Sequence, residues 1–170
     1  MSSQLRVDKI ITVDGVPTGG GGGIIQVVQT IKKDQFTTAN NTSNYTDITG
    51  LSATITPKFN TSKIMVECNI YNSNSNAVNF FRVLRGSTFI EQPSGTSSSG
   101  AGFNAHGFAY FDHSFQDTTV IKILDSPATT SSTTYKVQMA VTGATGTINK
   151  FYNTSNYYGI STIQLYEVSA

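Results

Sequence analysis

The chain has 170 residues, of which only 12% are charged, and its formal net charge is +1. Nonspecific binding to nucleic acid needs clustered Lys and Arg side chains, so this balance argues against a nucleic-acid partner. A single cysteine, Cys68, excludes an internal disulfide. No stretch approaches the roughly 20 apolar residues of a membrane span, and the N-terminus lacks the apolar core of a secretory signal. We therefore expect a protein that folds in a reducing cytoplasm and does not insert into membranes.

A run of five glycines at residues 19–23 divides the chain. Glycine has no Cβ, so such a run predicts a flexible linker. Residues 1–18 form a short arm before it, and residues 24–170 have the size of one ordinary domain, called the head below. The arm carries apolar residues that it is too short to bury alone: Leu5, Val7, Ile10, Ile11 and Val13. We expect these residues to attach the arm to a partner, by adding an edge strand to the partner's sheet.

In chain order, the head alternates between β-rich stretches and turn signals. The stretches are rich in β-branched and aromatic residues, and several of them alternate with a period of two. We predict strands over residues 24–32, 45–48, 51–57, 63–71, 80–84, 88–91, 106–113, 119–124, 135–141, 147–152 and 160–168. Residues 37–44, 72–76 and 92–102 are typical of loops. No window shows sustained helical periodicity, so the predicted fold class is all-β, an antiparallel β-sandwich or jelly roll with an extended N-terminal arm.

Two of these stretches carry further expectations about burial. The period-two pattern of residues 63–71 places Cys68 on the core face, where a buried thiol is a small, inert apolar group. The closing strand, residues 160–168, is expected to be central and buried.

One stretch has apolar residues on both faces of its predicted strand. In residues 80–84, Phe80 and Leu84 lie opposite Phe81 and Val83. One sandwich core cannot absorb both faces, and the head is poor in charge. The surplus apolar side chains therefore predict a subunit interface, in a homotrimer.

The best candidate for a reactive cluster comprises His106, Asp112, His113 and Ser114. On a strand, His106 and Asp112 share a face, whereas His113 points the other way. A Ser-His-Asp triad needs a geometry that neighbours on one strand do not supply, and a metal site needs three or four converging ligands. We interpret the chain as non-enzymatic, with no catalytic residue, metal or cofactor.

Aromatic residues beside the predicted loops are candidates for contact with a ligand. Tyr157 and Tyr158 follow the polar turn at residues 153–156 and could stack on a host glycan. We expect this turn and residues 92–102 to be exposed loops at the far end of the head. Phe103, Phe108, Tyr110, Phe111 and Phe115 are candidates for core, interface or sugar-stacking residues. The alternative is that both loops are merely solvated.

Several motifs together carry a family resemblance that covers nearly the whole chain. These are LRVDKIITVDGVPTGGGGGIIQVVQTIK, DITGLSATITPKFNTSKIMV, FRVLRGST, LDSPATTSSTTYKVQ and ISTIQLYEVSA. In combination they resemble the small virion structural and tail-fibre-like proteins of marine bacteriophages, notably cyanophages, which have a C-terminal jelly-roll module.

The resemblance implies a non-enzymatic virion structural protein with a trimeric jelly roll similar to tumour-necrosis-factor-like heads. It would be made in the host cytoplasm, lie on the outer surface of the virion, and bind other virion proteins of capsid or tail through residues 1–18. Tail fibres usually place such a module after a long repetitive shaft, whereas this chain has only the arm. A capsid decoration or knob-like protein is therefore favoured. A tail-fibre or receptor-binding tip that contacts host surface glycans is the alternative.

Overall fold

The structure, a computed structural model, describes residues 23–39, 44–94, 104–111, 115–151 and 157–169. The strands in these ranges are β1 (Ile24–Lys32), β2 (Phe36–Thr38), β3 (Thr46–Ile55), β4 (Lys63–Asn74), β5 (Ala77–Arg85), β6 (Thr88–Phe89), β7 (Gly107–Phe111), β8 (Phe115–Asp125), β9 (Thr133–Thr142), β10 (Gly146–Ile148) and β11 (Ser161–Val168). In the described part of the chain, no helix has the length and apolarity needed to cross a membrane.

The strands form two antiparallel sheets. One has the order β1–β11–β4–β10–β2, with β8 also paired to β4, and the other has the order β3–β9–β5–β6, with β7 also paired to β5. Without the short strands β2, β6 and β10, the sheets become β1–β11–β4–β8 and β3–β9–β5–β7. This is the strand order of a jelly roll of eight strands. The predicted fold class is confirmed, and β11 is interior to its sheet as expected.

The core lies between the two sheets and follows from the period-two pattern of the strands. In β4, Ile64, Val66, Cys68 and Ile70 are fully buried, while the alternate side chains are only partly covered. The largest apolar partners from the other strands are Leu51, Ile55, Phe81, Tyr135, Met139, Ile163 and Leu165. At roughly 25 cal/mol per Å² of apolar area removed from water, this burial is the main source of stability.

A buried carboxylate joins the sheets at one end of the sandwich, called the proximal end below. Arg85 on β5 donates from Nη1 to both carboxylate oxygens of Asp125 on β8, at 2.8 and 2.6 Å. The Tyr135 hydroxyl on β9 donates to the same carboxylate at 2.6 Å. Burial, and then the bond to Asp125, raise the pKa of Tyr135, so the hydroxyl remains a donor. These charge-assisted bonds hold β8 of one sheet against β5 and β9 of the other.

At the opposite, distal end, amide side chains fill the space between the sheets. Asn72 donates to the carbonyls of Ile70 and Asp117, at 3.0 and 3.2 Å. Asn79 donates to Asn72 Oδ1 at 3.0 Å, and Asn74 donates to Asn79 Oδ1 at 2.7 Å. All three asparagines are fully buried. Because each of them has hydrogen-bond partners, the cluster is compatible with an interior position.

Several predicted element boundaries were wrong. Of the turn or loop predicted over residues 72–76, only residues 75–76 connect two strands, because β4 continues to Asn74 and its amides have internal partners. The two strands predicted over residues 45–48 and 51–57 are one strand, β3, which runs from Thr46 to Ile55. Gly50 lies within the register shift of β3 and adopts a φ of 80°, which glycine accepts readily. The predicted loop at residues 37–44 begins inside β2, which pairs with β10, and the strand predicted over 147–152 ends at Ile148.

The two-sided strand at residues 80–84 is largely covered by the chain itself. Phe81 and Val83 face the core as expected. Leu84, on the outer face, is only 5% exposed, at the position where β5 pairs with Phe89 of β6. Phe80 is half-buried, with its ring 6.2 Å from that of Phe108. This strand therefore offers a partner subunit less apolar surface than the sequence suggested.

The close packing of Gly146 gives a test of the distal core. A Cβ at this position would lie 2.7 Å from Asn79 Oδ1 and 2.8 Å from Val141 Cγ2, closer than real Cβ atoms come to other atoms. We expect Gly146→Ala to lower the free energy of unfolding by about 1–3 kcal/mol, because overpacking displaces the amide cluster. The measurement is urea denaturation. Gly23→Ala, whose Cβ would meet nothing within 4 Å, is the matched control. Equal effects of both substitutions would contradict tight packing at Gly146.

Candidate functional site: an aromatic cleft at the distal end

The described chain begins at the proximal end. The backbone N–H of Ser169 donates to the Gly23 carbonyl at 3.0 Å, and Ile24 pairs with Val168 at the end of β11. Since β11 pairs antiparallel with β4, this is the end at which β4 begins and β8 finishes. The predicted attachment residues Leu5, Val7, Ile10, Ile11 and Val13 lie outside the described residues. The segment that contains them nevertheless joins the head at its proximal end.

An aromatic cleft lies at the distal end, where β8 begins. Phe115, the first residue of β8, pairs with Asn74, the last residue of β4. The 12 residues of β4 span roughly 35 Å, at about 3.3 Å per residue, so this point is far from Gly23. The cleft has a volume of about 270 Å³ and is lined by Phe115, Gln116, Phe151 and Tyr157.

Hydrogen bonds between two chain segments position the rings of the cleft. The Phe151 N–H donates to the Tyr157 carbonyl at 3.0 Å, and Lys150 forms an antiparallel bridge with Tyr158. This short ladder is held against β4, because the Ser73 hydroxyl donates to the Lys150 carbonyl at 2.8 Å. The rings of Phe151 and Tyr157 consequently meet edge to face, with centroids 6.0 Å apart and planes at 85°. They form two walls of a corner.

The amide of Gln116 and the hydroxyl of Tyr157 are polar groups among the described side chains that line the cleft. The Tyr71 hydroxyl donates to Gln116 Oε1, which orients the amide and leaves the Nε2 N–H groups as its donor end. None of the four lining side chains is acidic or basic. Three rings and one oriented amide, without a charge, suit a neutral ligand that combines C–H surface with hydroxyl groups.

Of the two tyrosines predicted to contact a ligand, only one lines the cleft. Both are 61% exposed, but Tyr157 lines the cleft and Tyr158 does not. Phe115, whose role the sequence left open, is a lining residue that is 59% exposed. Sequence reasoning missed Gln116 and Phe151. The only signal for Phe151 was its position just before the polar turn at residues 153–156.

The predicted loops at residues 92–102 and 153–156 do not begin and end at the same place in the head. Thr88 of β6 pairs with Arg85 near the proximal end, and residues 92–94 follow from there. The chain returns beside the middle of β5, where the His106 N–H donates to the Phe81 carbonyl at 2.9 Å. The flanks of the second loop, in contrast, line the distal cleft. Residues 95–103 and 152–156 themselves lie outside the described residues.

Both ring nitrogens of His106 form hydrogen bonds with backbone groups. Its Nδ1 accepts the Val83 N–H at 3.0 Å, so Nε2 carries the proton and donates to the Ile90 carbonyl at 2.8 Å. Both ring nitrogens are therefore occupied, and neither can bind a metal or a substrate. The other members of the candidate reactive cluster, Asp112, His113 and Ser114, lie outside the described residues. Among the residues that are described, no three His, Cys, Asp or Glu side chains converge as metal ligands.

Cys68 is inert, as its pattern predicted. The side chain is fully buried in β4, and burial raises the pKa of the thiol to about 12. At neutral pH the thiol is therefore protonated, whereas a nucleophilic cysteine needs the thiolate.

The chain matches no known family model and no curated protein. Among solved structures, it is similar to the structure of the infectious bursal disease virus Gt strain, with a TM-score of 0.45 and 12% identity over all of this chain and 43% of that one. The Gx strain structure gives a TM-score of 0.42 and 11% identity, over 85% of this chain and 37% of that one. The chain thus spans about two fifths of the length of these structures. Likenesses of this degree support no functional inference.

The environment of His106 predicts a pH dependence of stability. Burial lowers the pKa of this histidine below its usual 6.5, against the opposing effect of its bond to the Ile90 carbonyl. The unfolded chain therefore binds more protons than the folded chain below about pH 6.5, and the free energy of unfolding falls as the pH decreases. We expect His106→Gln to lose part of that decrease, as measured by urea denaturation at about pH 7.5 and 5. An equal decrease in both proteins would contradict this role.

Proposed function

We propose that the protein is a non-enzymatic structural component of a bacteriophage virion. In this proposal a trimeric jelly-roll head, similar to tumour-necrosis-factor-like heads, is fixed to the outer surface of the particle by residues 1–18. It acts there as a capsid decoration or knob-like protein. It is made in the host cytoplasm and joins the virion through a capsid or tail protein.

The observation that carries the proposal is the separation of the two ends of the head. The segment that contains the apolar arm joins at the proximal end, beside Ser169. The aromatic cleft lies at the distal end, at the far limit of β4. A head attached through its arm would therefore present the cleft away from the attachment point. The motifs that resemble marine phage proteins agree with this arrangement.

Deletion of the arm tests the attachment. A variant that lacks residues 1–18 should fold as the full chain does, because Gly23 and β1 retain their partners on β11. It should no longer join virions, since the apolar side chains that bind the particle are gone. The measurement is occupancy on purified particles by quantitative mass spectrometry and cryo-EM. Normal occupancy of the truncated protein would contradict attachment through the arm.

The trimer interface that fits the head best is the outer face of the sheet that contains β1. An apolar row crosses four strands of this face, since Val27 pairs with Tyr166, Tyr166 with Met65, and Met65 with Leu124. Val27 is 56% exposed and Leu124 is 44% exposed. Next to this row, Lys122 pairs with Glu67 at 3.3 Å, and Lys63 adds one positive charge at the start of β4. A face of low charge with exposed apolar side chains is suited to contact with further copies of the head.

A charge placed in the apolar row tests this interface. Leu124→Glu should shift the protein from trimer to monomer at micromolar concentration, because association would bury an unpaired carboxylate. Because Leu124 is exposed, the variant subunit should fold normally, and circular dichroism checks this. Tyr110→Glu, at a position 66% exposed on β7 of the other sheet, is the control. Light scattering measures the oligomeric state. If only Tyr110→Glu is monomeric, the interface lies on the other sheet. If the unmodified protein is monomeric, the trimer is refuted.

A second candidate function is a tail-fibre or receptor-binding tip that contacts host surface glycans. The aromatic cleft favours it, because exposed rings at the end away from the arm have no evident use in a protein that only covers a capsid. Copy number distinguishes the two functions. Cryo-EM of the virion that places the protein on the capsid in hundreds of copies supports decoration, and a few copies on the tail support the tip.

A further inference from the structure

The distal cleft combines features that together select a ligand class. Phe151 and Tyr157 meet at 85°, so a ring that lies flat on one of them presents its own edge to the other. Phe115 supplies a third aromatic surface, and Gln116 supplies an oriented donor. The volume of about 270 Å³ lies just below the range of roughly 300–1,000 Å³ that is typical of drug-sized ligands. The cleft is therefore of a size for a single ring.

The absence of Lys, Arg, Asp and Glu among the four described lining side chains restricts the class of ligand further. A phosphate or a carboxylated ligand would require Lys, Arg or several backbone N–H donors, and the four lining side chains include neither Lys nor Arg. A cationic ligand would be attracted by the ring faces, but none of the four described lining side chains is a carboxylate that could complement it. A neutral pyranose presents axial C–H groups to an aromatic face and equatorial hydroxyl groups to an amide, and it matches both parts of the lining.

We propose that the cleft formed by Phe115, Gln116, Phe151 and Tyr157 is a binding site for a single neutral pyranose unit of a glycan. The sugar ring packs on the aromatic corner, and the Gln116 Nε2 N–H donates to one of its hydroxyl groups. The Tyr71 hydroxyl holds the amide in the required orientation, so Tyr71 is a positioning residue. This inference deepens the second candidate function, but as a binding activity it does not depend on where in the virion the protein resides.

The test is a titration of the 170-residue chain by saturation-transfer and chemical-shift NMR. The probes are the methyl glycosides of glucose, galactose, mannose and N-acetylglucosamine, with choline chloride and sodium phosphate as charged comparisons. We expect at least one glycoside to bind with a Kd on the order of 1 mM, as is usual for a small open site. Binding by choline or phosphate but by no glycoside, or no binding by any probe below about 10 mM, would overturn the inference.

Adjacent tyrosines provide a matched pair of variants. Tyr157→Ala should weaken binding of that glycoside at least tenfold, since it removes one wall of the corner, and Tyr157→Phe should retain it, since the ring is kept. Tyr158→Ala, at the neighbouring residue with the same exposure, should leave the Kd within about twofold. Gln116→Leu should weaken binding without loss of the ring contacts seen in saturation transfer. Equal losses for Tyr157→Ala and Tyr158→Ala would contradict the site.

Two readouts separate this inference from the proposed virion function. Occupancy of Tyr157→Ala on particles should be normal, because the arm and the apolar row are unchanged. If Tyr157→Ala loses glycoside binding but occupies particles normally, the cleft is a binding site independent of attachment. A change in oligomeric state on Tyr157→Ala would instead make the cleft a subunit contact and overturn the inference. If residues 1–18 prove irrelevant to attachment, the binding experiment still stands, because it uses the protein in solution.

Discussion

Strand β4 imposes the constraint on which the rest of the structure depends. Its backbone pairs with β8 along one edge from Ile64 to Asn74, and with β11 and then β10 along the other. An interior strand must satisfy its N–H and C=O groups on both sides, so four separate parts of the chain must come together before this sheet exists. The partners are distant in sequence, which is the condition under which loop-closure entropy makes β folding slow and highly cooperative.

The length of β4 also explains why the two ends of the sandwich differ chemically. Its first part faces an apolar core, whereas its last part, from Asn72 to Asn74, carries amides into the interior. An amide between the sheets is tolerated only if its hydrogen bonds are complete, and Asn79 on β5 completes them from the opposite sheet. The distal end is therefore held by hydrogen bonds of the asparagine cluster. Because hydrogen bonds are directional, they position the neighbouring segments that carry the aromatic rings more precisely than apolar contact alone would.

This architecture places the described start of the chain and the aromatic cleft at opposite ends of the sandwich. The long strands β4, β8 and β11 run along one axis of the sandwich, so their ends mark its two ends. Gly23 and Ser169 lie at one end, and Phe115 with Tyr157 lies at the other. Between them, the Arg85–Asp125 pair and the asparagine cluster join the sheets near their two ends. Under the proposed function, a head attached through residues 1–18 would present the cleft at the end away from the particle.

Local pattern determined the all-β class, the burial of Cys68 and the span of β1, because period-two alternation and turn residues act over a few neighbours. Tertiary structure decided that Asn72–Asn74 are strand. The hydrogen-bond partners of these buried amides, such as Asn79, come from another strand, and no local sequence signal reveals them. It also decided the membership of the cleft: Tyr157 was predictable as an exposed aromatic residue, but Gln116 and Phe151 join it only through pairing with β4 and the ladder at Lys150. Which side chains share a site depends on strand order, and strand order is set by the packing of the whole chain.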